Sequence, residues 1–133
     1  MPISEAEALA QIPLFSHLSS RQLRKLQRGV TEHRYEPDAT IVREGGRTTT
    51  LFVVLEGTAK VVRDGRTISR RKPGEYFGEI SLIDGRPRAA SVIAETPVQC
   101  LVLEQEALRK VLMSEPAASW VLLQSLAARL RGE

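Results

Sequence analysis

The sequence predicts a single α+β domain, mainly β, with its strands in the middle and helices at both ends, and three observations predict it. Apolar residues recur with a helical period in the first thirty residues and again after Leu103. Between them, residues 31–103 break into short β-branched and apolar runs separated by Pro37, Gly45-Gly46, Gly57, Asp64-Gly65, Pro73-Gly74 and Asp84-Gly85. No linker, repeat or low-complexity tract divides the 133 residues, a length that suits one domain burying roughly two-thirds of its unfolded surface.

The elements follow in order. Within residues 1–30, SSRQLRKLQRGV places Leu23 and Leu26 on one face, opens with Ser19 and Gln22 in capping-box spacing, and offers Gly29 as a stop. The central runs predict a sandwich or barrel of short strands. TAKVVRDGRTIS is the clearest hairpin, because Asp64-Gly65 can take the positive φ angles of a type I′ turn. After Leu103, EQEALRKVLMS puts Glu104 and Glu106 in a first turn favoured by the helix dipole, with Leu108, Val111 and Leu112 as its stripe. A last helix begins near Pro116, and its Trp120, Leu123, Leu126 and Leu130 predict a face packed on the strands.

Composition narrows the function classes. With 42% apolar and 26% charged residues the chain reads as soluble and globular, and no apolar run approaches the ~18 residues that span a bilayer. MPISEAEALAQIPLF lacks the basic head and long apolar core of a secretory signal, so a cytoplasmic protein with no membrane partner is expected. Cys100, the only cysteine, sits in VQCLVLE as a buried strand residue would. His17 and His33 lack metal-ligand spacing, so no metal is expected; no serine stands in a nucleophile elbow, so no catalysis is expected either. The net charge of +3 permits an anionic partner, but Arg63, Arg66, Arg70, Arg71 and Lys72 lack interleaved aromatics and read as a solvated hairpin edge. Direct nucleic-acid binding by this chain alone is therefore not expected.

Chemistry concentrates in FGEISLIDGRPRAASV, residues 77–92. Gly74, Gly78 and Gly85 allow a close approach to backbone, and GEISLID is long enough for a turn or two of helix whose first amides, at Glu79, Ile80 and Ser81, point outward. Anions bind such amides. Arg88 returns after Pro87 with a planar fork that matches two phosphate oxygens, and the small Ala89 and Ala90 let their own backbone come close. Glu79 would repel a bare phosphate but would accept a hydrogen bond from a sugar hydroxyl. Together these residues ask for a ribose phosphate; the bland alternative is a Glu79–Arg88 ion pair within a turn.

The run PGEYFGEISLIDGRPRAASV closely resembles the phosphate-binding cassette, here residues 74–92, of cyclic nucleotide-binding domains: protein kinase A regulatory subunits above all, and also catabolite-activator regulators and nucleotide-gated channels. TIVREGG and LFVVLEGTAKVV resemble the family's early strands more weakly. The resemblance implies an eight-stranded β-roll (jelly-roll) over residues 31–103, flanked by N-terminal helices and by two hinge helices over residues 104–133. It implies that Gly78 and Glu79 open the cradle, that Glu79 accepts from the ribose 2′-hydroxyl, and that Arg88 pairs with the cyclic phosphate. Amides near Ile80, Ser81, Ala89 and Ala90 complete the cradle, while Val61 and Ile68 line the base pocket. Ala89 stands where members preferring cyclic GMP tend to have threonine, which favours cAMP as the ligand over cGMP.

The implied function is a regulatory, signal-transducing module that senses a cyclic purine nucleotide and passes binding to its C-terminal helices and an effector protein or domain. The last helix is also a candidate homodimer seam. Two alternatives stay open: the sensor half of a DNA-binding transcription regulator of the catabolite-activator type, and a family member that has lost its ligand and serves as an interaction module. A cupin-type enzyme would need clustered metal-binding histidines.

Overall fold

A computed structural model describes residues 4–132 of the chain. Met1, Pro2, Ile3 and Glu133, which the sequence places in the flanking helical segments, lie outside the described residues. The order is α1 (Glu5–Gln11), a single 3-10 turn (Pro13–Phe15), α2 (Ser20–Gln27), strands β1 (Thr31–Tyr35), β2 (Thr40–Val42), β3 (Thr50–Glu56), β4 (Ala59–Arg63), β5 (Arg66–Arg71) and β6 (Tyr76–Phe77), the short helix α3 (Glu79–Asp84), then β7 (Ser91–Ala94), β8 (Val98–Glu104), α4 (Gln105–Ser114) and α5 (Pro116–Leu130).

The strands form two antiparallel four-stranded sheets, β1-β8-β3-β6 and β2-β7-β4-β5, which together make the expected eight-stranded roll. Two apolar clusters hold it together, and β3 contributes to both. Its alternate residues Leu51, Val53 and Leu55 pack beneath the helices with Leu9, Phe15 and Leu26. Phe52 and Val54 face the second sheet and meet Val61, Val92 and Ala94. A strand covered on both faces reads as a continuous apolar run, and TLFVVLE does. Phe52 also stacks on Phe77 with ring centroids 5.0 Å apart, a contact worth about 0.5–1.5 kcal/mol beyond its buried area. That stack fixes β6 and, immediately after it, the start of α3.

Local signals were followed closely in two places. Ser19 and Gln22 make the reciprocal capping box of α2. Asp64 and Gly65 take φ of 51° and 77°, as a type I′ hairpin demands.

Elsewhere the structure corrects the sequence. Glu104 is not in the first turn of α4; it closes β8, where its Oε2 accepts a hydrogen bond from the Thr50 hydroxyl at 3.1 Å. Trp120, Leu123 and Leu130 do not pack on the strands, and they are 65%, 56% and 90% exposed. The buried side of α5 is Ala118, Leu122 and Ser125. Helix α5 is apolar around most of its circumference, so the period alone could not choose a face. The small residues let the helix approach the core closely, and the buried Ser125 hydroxyl donates to the Val121 carbonyl of the preceding turn.

Candidate functional site

Gly78 begins the site. It takes φ of 91°, and a Cβ there would stand 2.5 Å from both the Thr50 carbonyl and the Arg88 guanidinium, so only glycine lets the chain turn from β6 into α3 against β3. The short helix that follows buries Glu79, Ser81 and Leu82 and leaves Ile80 and Ile83 exposed. Beyond it, the Ser81 hydroxyl donates to the Arg86 carbonyl, and the Arg88 and Gly45 amides exchange hydrogen bonds with the Gly46 and Arg88 carbonyls. The loop carrying Arg88 is thus laced to the β2–β3 turn.

Arg88 is 5% exposed. Its Nη2 donates to the Thr50 carbonyl at 2.6 Å and to Thr48 Oγ1 at 3.1 Å, its Nε to Thr48 Oγ1 at 3.2 Å, and its Nη1 to the Gly78 carbonyl at 3.4 Å. All these acceptors are neutral. No carboxylate among the described residues forms an ion pair with it, and burial lowers its pKa, with Glu104 opposing that effect. A guanidinium never loses its proton in the physiological range, so the charge stays, buried and without a counter-ion. The bland alternative of a Glu79–Arg88 ion pair is therefore not what forms.

Glu79 is 7% exposed and pairs instead with Arg129 near the end of α5, Oε1 to Nη1 at 2.5 Å. Its Oε2 is buried with no hydrogen-bond partner among the described residues. Burial raises the pKa of nearby Tyr76, and the charge of Glu79 adds to the effect.

These groups surround one cavity of about 300 Å3, within the size range of small-ligand sites. Of the residues singled out from sequence, Val61, Gly78, Glu79, Ile80, Ser81, Arg88, Ala89 and Ala90 all line it. Ile68 does not, and is 51% exposed. The reason is the pleat: Ser69 and Arg71 are the half-buried residues of β5, while Ile68 and Arg70 point to solvent. A register irregularity between Val61 and Val62 decides which set turns inward.

Sequence reasoning missed four participants. Arg71, grouped with the surface charges, lines the cavity together with Tyr76. Thr48 anchors Arg88, and Arg129 anchors Glu79. For Arg71 a signal existed in the alternation Ser69/Arg71 opposite Val61, but no local pattern brings Arg129 to Glu79.

The chain is similar to known proteins in sequence and in fold. Residues 32–115 match the family model described as the cyclic nucleotide-binding domain. A cAMP-dependent protein kinase regulatory subunit from Yarrowia lipolytica is 30% identical over 106 residues, 78% of this chain and 28% of the relative. A cGMP-dependent protein kinase from Toxoplasma gondii is 33% identical over 104 residues, 78% of this chain and 10% of the kinase. The chain thus spans between a tenth and under a third of the length of these two relatives. Among solved structures, the N-terminal domain of a transcriptional regulator from Streptomyces coelicolor superposes with a TM-score of 0.87 at 35% identity, covering 94% of this chain and 91% of that one. A cyclic nucleotide-binding domain from Methylobacillus flagellatus gives 0.76 at 29% identity, covering 96% and 79%. With its two-sheet roll, its short helix between β6 and β7, and a family match over most of its length, the chain belongs to the cyclic nucleotide-binding domain family.

Proposed function

We propose that this domain binds a cyclic purine nucleotide, cAMP foremost, without transforming it, and transmits the binding to its C-terminal helices. The observation that carries this reading is Arg88: a buried guanidinium held from behind by neutral oxygens, with no counter-ion of its own, facing a cavity it shares with the orphaned Oε2 of Glu79. A phosphate supplies the missing charge to Arg88, and a ribose hydroxyl supplies the missing donor to Glu79. Ala89, which brings no hydroxyl to the cavity, supports adenine as the base.

Transmission follows from the same carboxylate. Arg129 ties Glu79 to α5, so a ligand hydroxyl that engages Glu79 changes the environment of that tie. The populations of α5 arrangements then shift by the difference in ligand affinity between them. The effector that reads α5 is a protein or domain outside the residues described. Likeness to the Streptomyces coelicolor domain supports a second reading, as the sensor portion of a transcription regulator. Exposed Trp120, Leu123 and Leu130 support pairing of α5 with a second copy, which light scattering at graded concentrations tests.

A thermal-shift comparison of cAMP, cGMP and 5′-AMP tests the main reading. Saturation at 100 times Kd stabilises by about 2.7 kcal/mol. Stabilisation by cAMP and not by 5′-AMP is the expected result; no response to either cyclic nucleotide would overturn the main reading.

A further inference from the structure

Arg63 stands outside the cavity, exposed at the end of β4 and paired across the hairpin with Arg66. No carboxylate among the described residues forms an ion pair with it. An arginine at a hairpin turn has every freedom to trail into water. This one is laid across the loop that follows Arg88, where its Nε donates to the Ala89 carbonyl at 3.1 Å. Beside it the Asp64 amide donates to Glu44 Oε1 at 3.3 Å, and the Glu44 amide donates to Ser91 Oγ at 2.9 Å. The β4–β5 turn, the β2–β3 turn and the chain entering β7 are thereby joined around Ala89.

The consequence falls on two amides. The Arg88 carbonyl accepts from the Gly45 amide at 2.8 Å and the Ala89 carbonyl accepts from Arg63, so both peptide groups of Ala89 are held by their oxygens. No peptide bond of the described residues is cis, and in a trans peptide the N–H points away from the C=O. Anchoring each oxygen therefore also sets the direction of the Ala89 and Ala90 N–H groups. No turn, loop or side-chain hydrogen bond among the described residues uses either amide, and both residues line the cavity beside Arg88. A guanidinium on the Ala89 carbonyl further polarises the Ala90 N–H across the same peptide.

Resting on the reading of the cavity as a cyclic-nucleotide site, we infer that Arg63 is a positioning residue for phosphate capture: without touching the ligand, it grips the Ala89 carbonyl from outside and so holds the Ala89 and Ala90 amides toward the phosphate that Arg88 neutralises. The hairpin turn is then part of the binding device, although residues 63–66 do not line the cavity. Its arginine acts through backbone geometry, and its charge is of use only where the guanidinium meets that one carbonyl.

Binding kinetics of cAMP on the wild type, Arg63→Met and Arg63→Lys test this, and the exposed position lets both variants keep the core intact. In Arg63→Met the cAMP dissociation constant rises about threefold to tenfold, the scale of one hydrogen bond. The rise lies in faster dissociation and persists at about 0.5 M salt, where a charge acting from a distance is screened. Arg63→Lys, which keeps a charged N–H donor within reach of the carbonyl, recovers most of the affinity. The two diastereomers of cyclic AMP in which sulfur replaces one exocyclic phosphate oxygen supply a readout that a merely structural role would not move. The cost of Arg63→Met shrinks for the diastereomer whose sulfur, a weak acceptor, stands where the two amides bond, and stays whole for the other. An equal cost for cAMP and both diastereomers, a loss confined to association and abolished by salt, or an unchanged affinity overturns the role of Arg63 alone. Failure of the wild type to bind any cyclic nucleotide overturns this inference together with the function on which it rests.

Discussion

Glu79 and Arg129 join the two ends of the functional machinery. Glu79 heads α3 inside the cavity, Arg129 lies in the last turn of α5, and their side chains meet at 2.5 Å while the second carboxylate oxygen of Glu79 stays buried and unpaired. A group that faces the ligand cavity is thereby also the point at which the final helix is tied down. Arg129 is about one-third exposed, so water screens its side of the pair and leaves Glu79 the partner that depends on the contact.

Arg129→Ala strands that carboxylate. It should lower the unfolding free energy by about 1–2 kcal/mol, less than the 3–5 of a fully buried pair because of the screening. Adding Glu79→Gln should recover part of the loss, since the amide has no charge to strand. Urea titrations of the two single variants and the double variant measure the coupling, and additive losses would show that the pair contributes nothing.

Arg88→Leu should weaken cAMP binding by about 30-fold to several thousand-fold, the cost of roughly 2–5 kcal/mol for removing one partner of a buried charge contact. Calorimetry measures it. Unchanged affinity removes Arg88 from the site.

Glu79→Ala should cost less, about 1–3 kcal/mol of binding, and should erase discrimination against 2′-deoxy cAMP. Competition between the two ligands reads this out. If the wild type already binds the deoxy ligand equally well, the carboxylate plays no part in sugar recognition.

Gly78→Ala forces a side chain into φ of 91° and a Cβ into contact with the Thr50 carbonyl and the Arg88 guanidinium. Backbone strain of about 1–2 kcal/mol and the clash add, so the melting temperature should fall by several degrees and ligand stabilisation should vanish. Scanning calorimetry with and without cAMP checks both. Wild-type behaviour would mean the β6–α3 turn relaxes freely.

Cys100 is buried between the sheets, and burial pushes its thiol up to about 12. The thiolate is the reactive form, so maleimide labelling at neutral pH should proceed only as fast as the roll opens and should accelerate sharply in denaturant. Rapid labelling of the native protein would place the thiol in contact with solvent.

The sequence by itself determined every feature whose cause is local. The capping box at Ser19, the Asp64-Gly65 turn, the doubly buried run of β3 and the Gly78-to-Ala90 cluster each follow from residues a few positions apart, because backbone angles, pleat and helix period are short-range constraints. Only the tertiary structure decided matters of facing and of distant pairing. One register irregularity in the β4–β5 hairpin turned Arg71 inward and Ile68 outward, and a hydrophobicity pattern cannot see such a slip. Helix α5 carries apolar residues on most of its sides, so its packed face was set by the core it met. The partners Thr48 for Arg88 and Arg129 for Glu79 arise because folding brings separate elements to one cavity, and side-chain reach across space leaves no periodic trace along the chain.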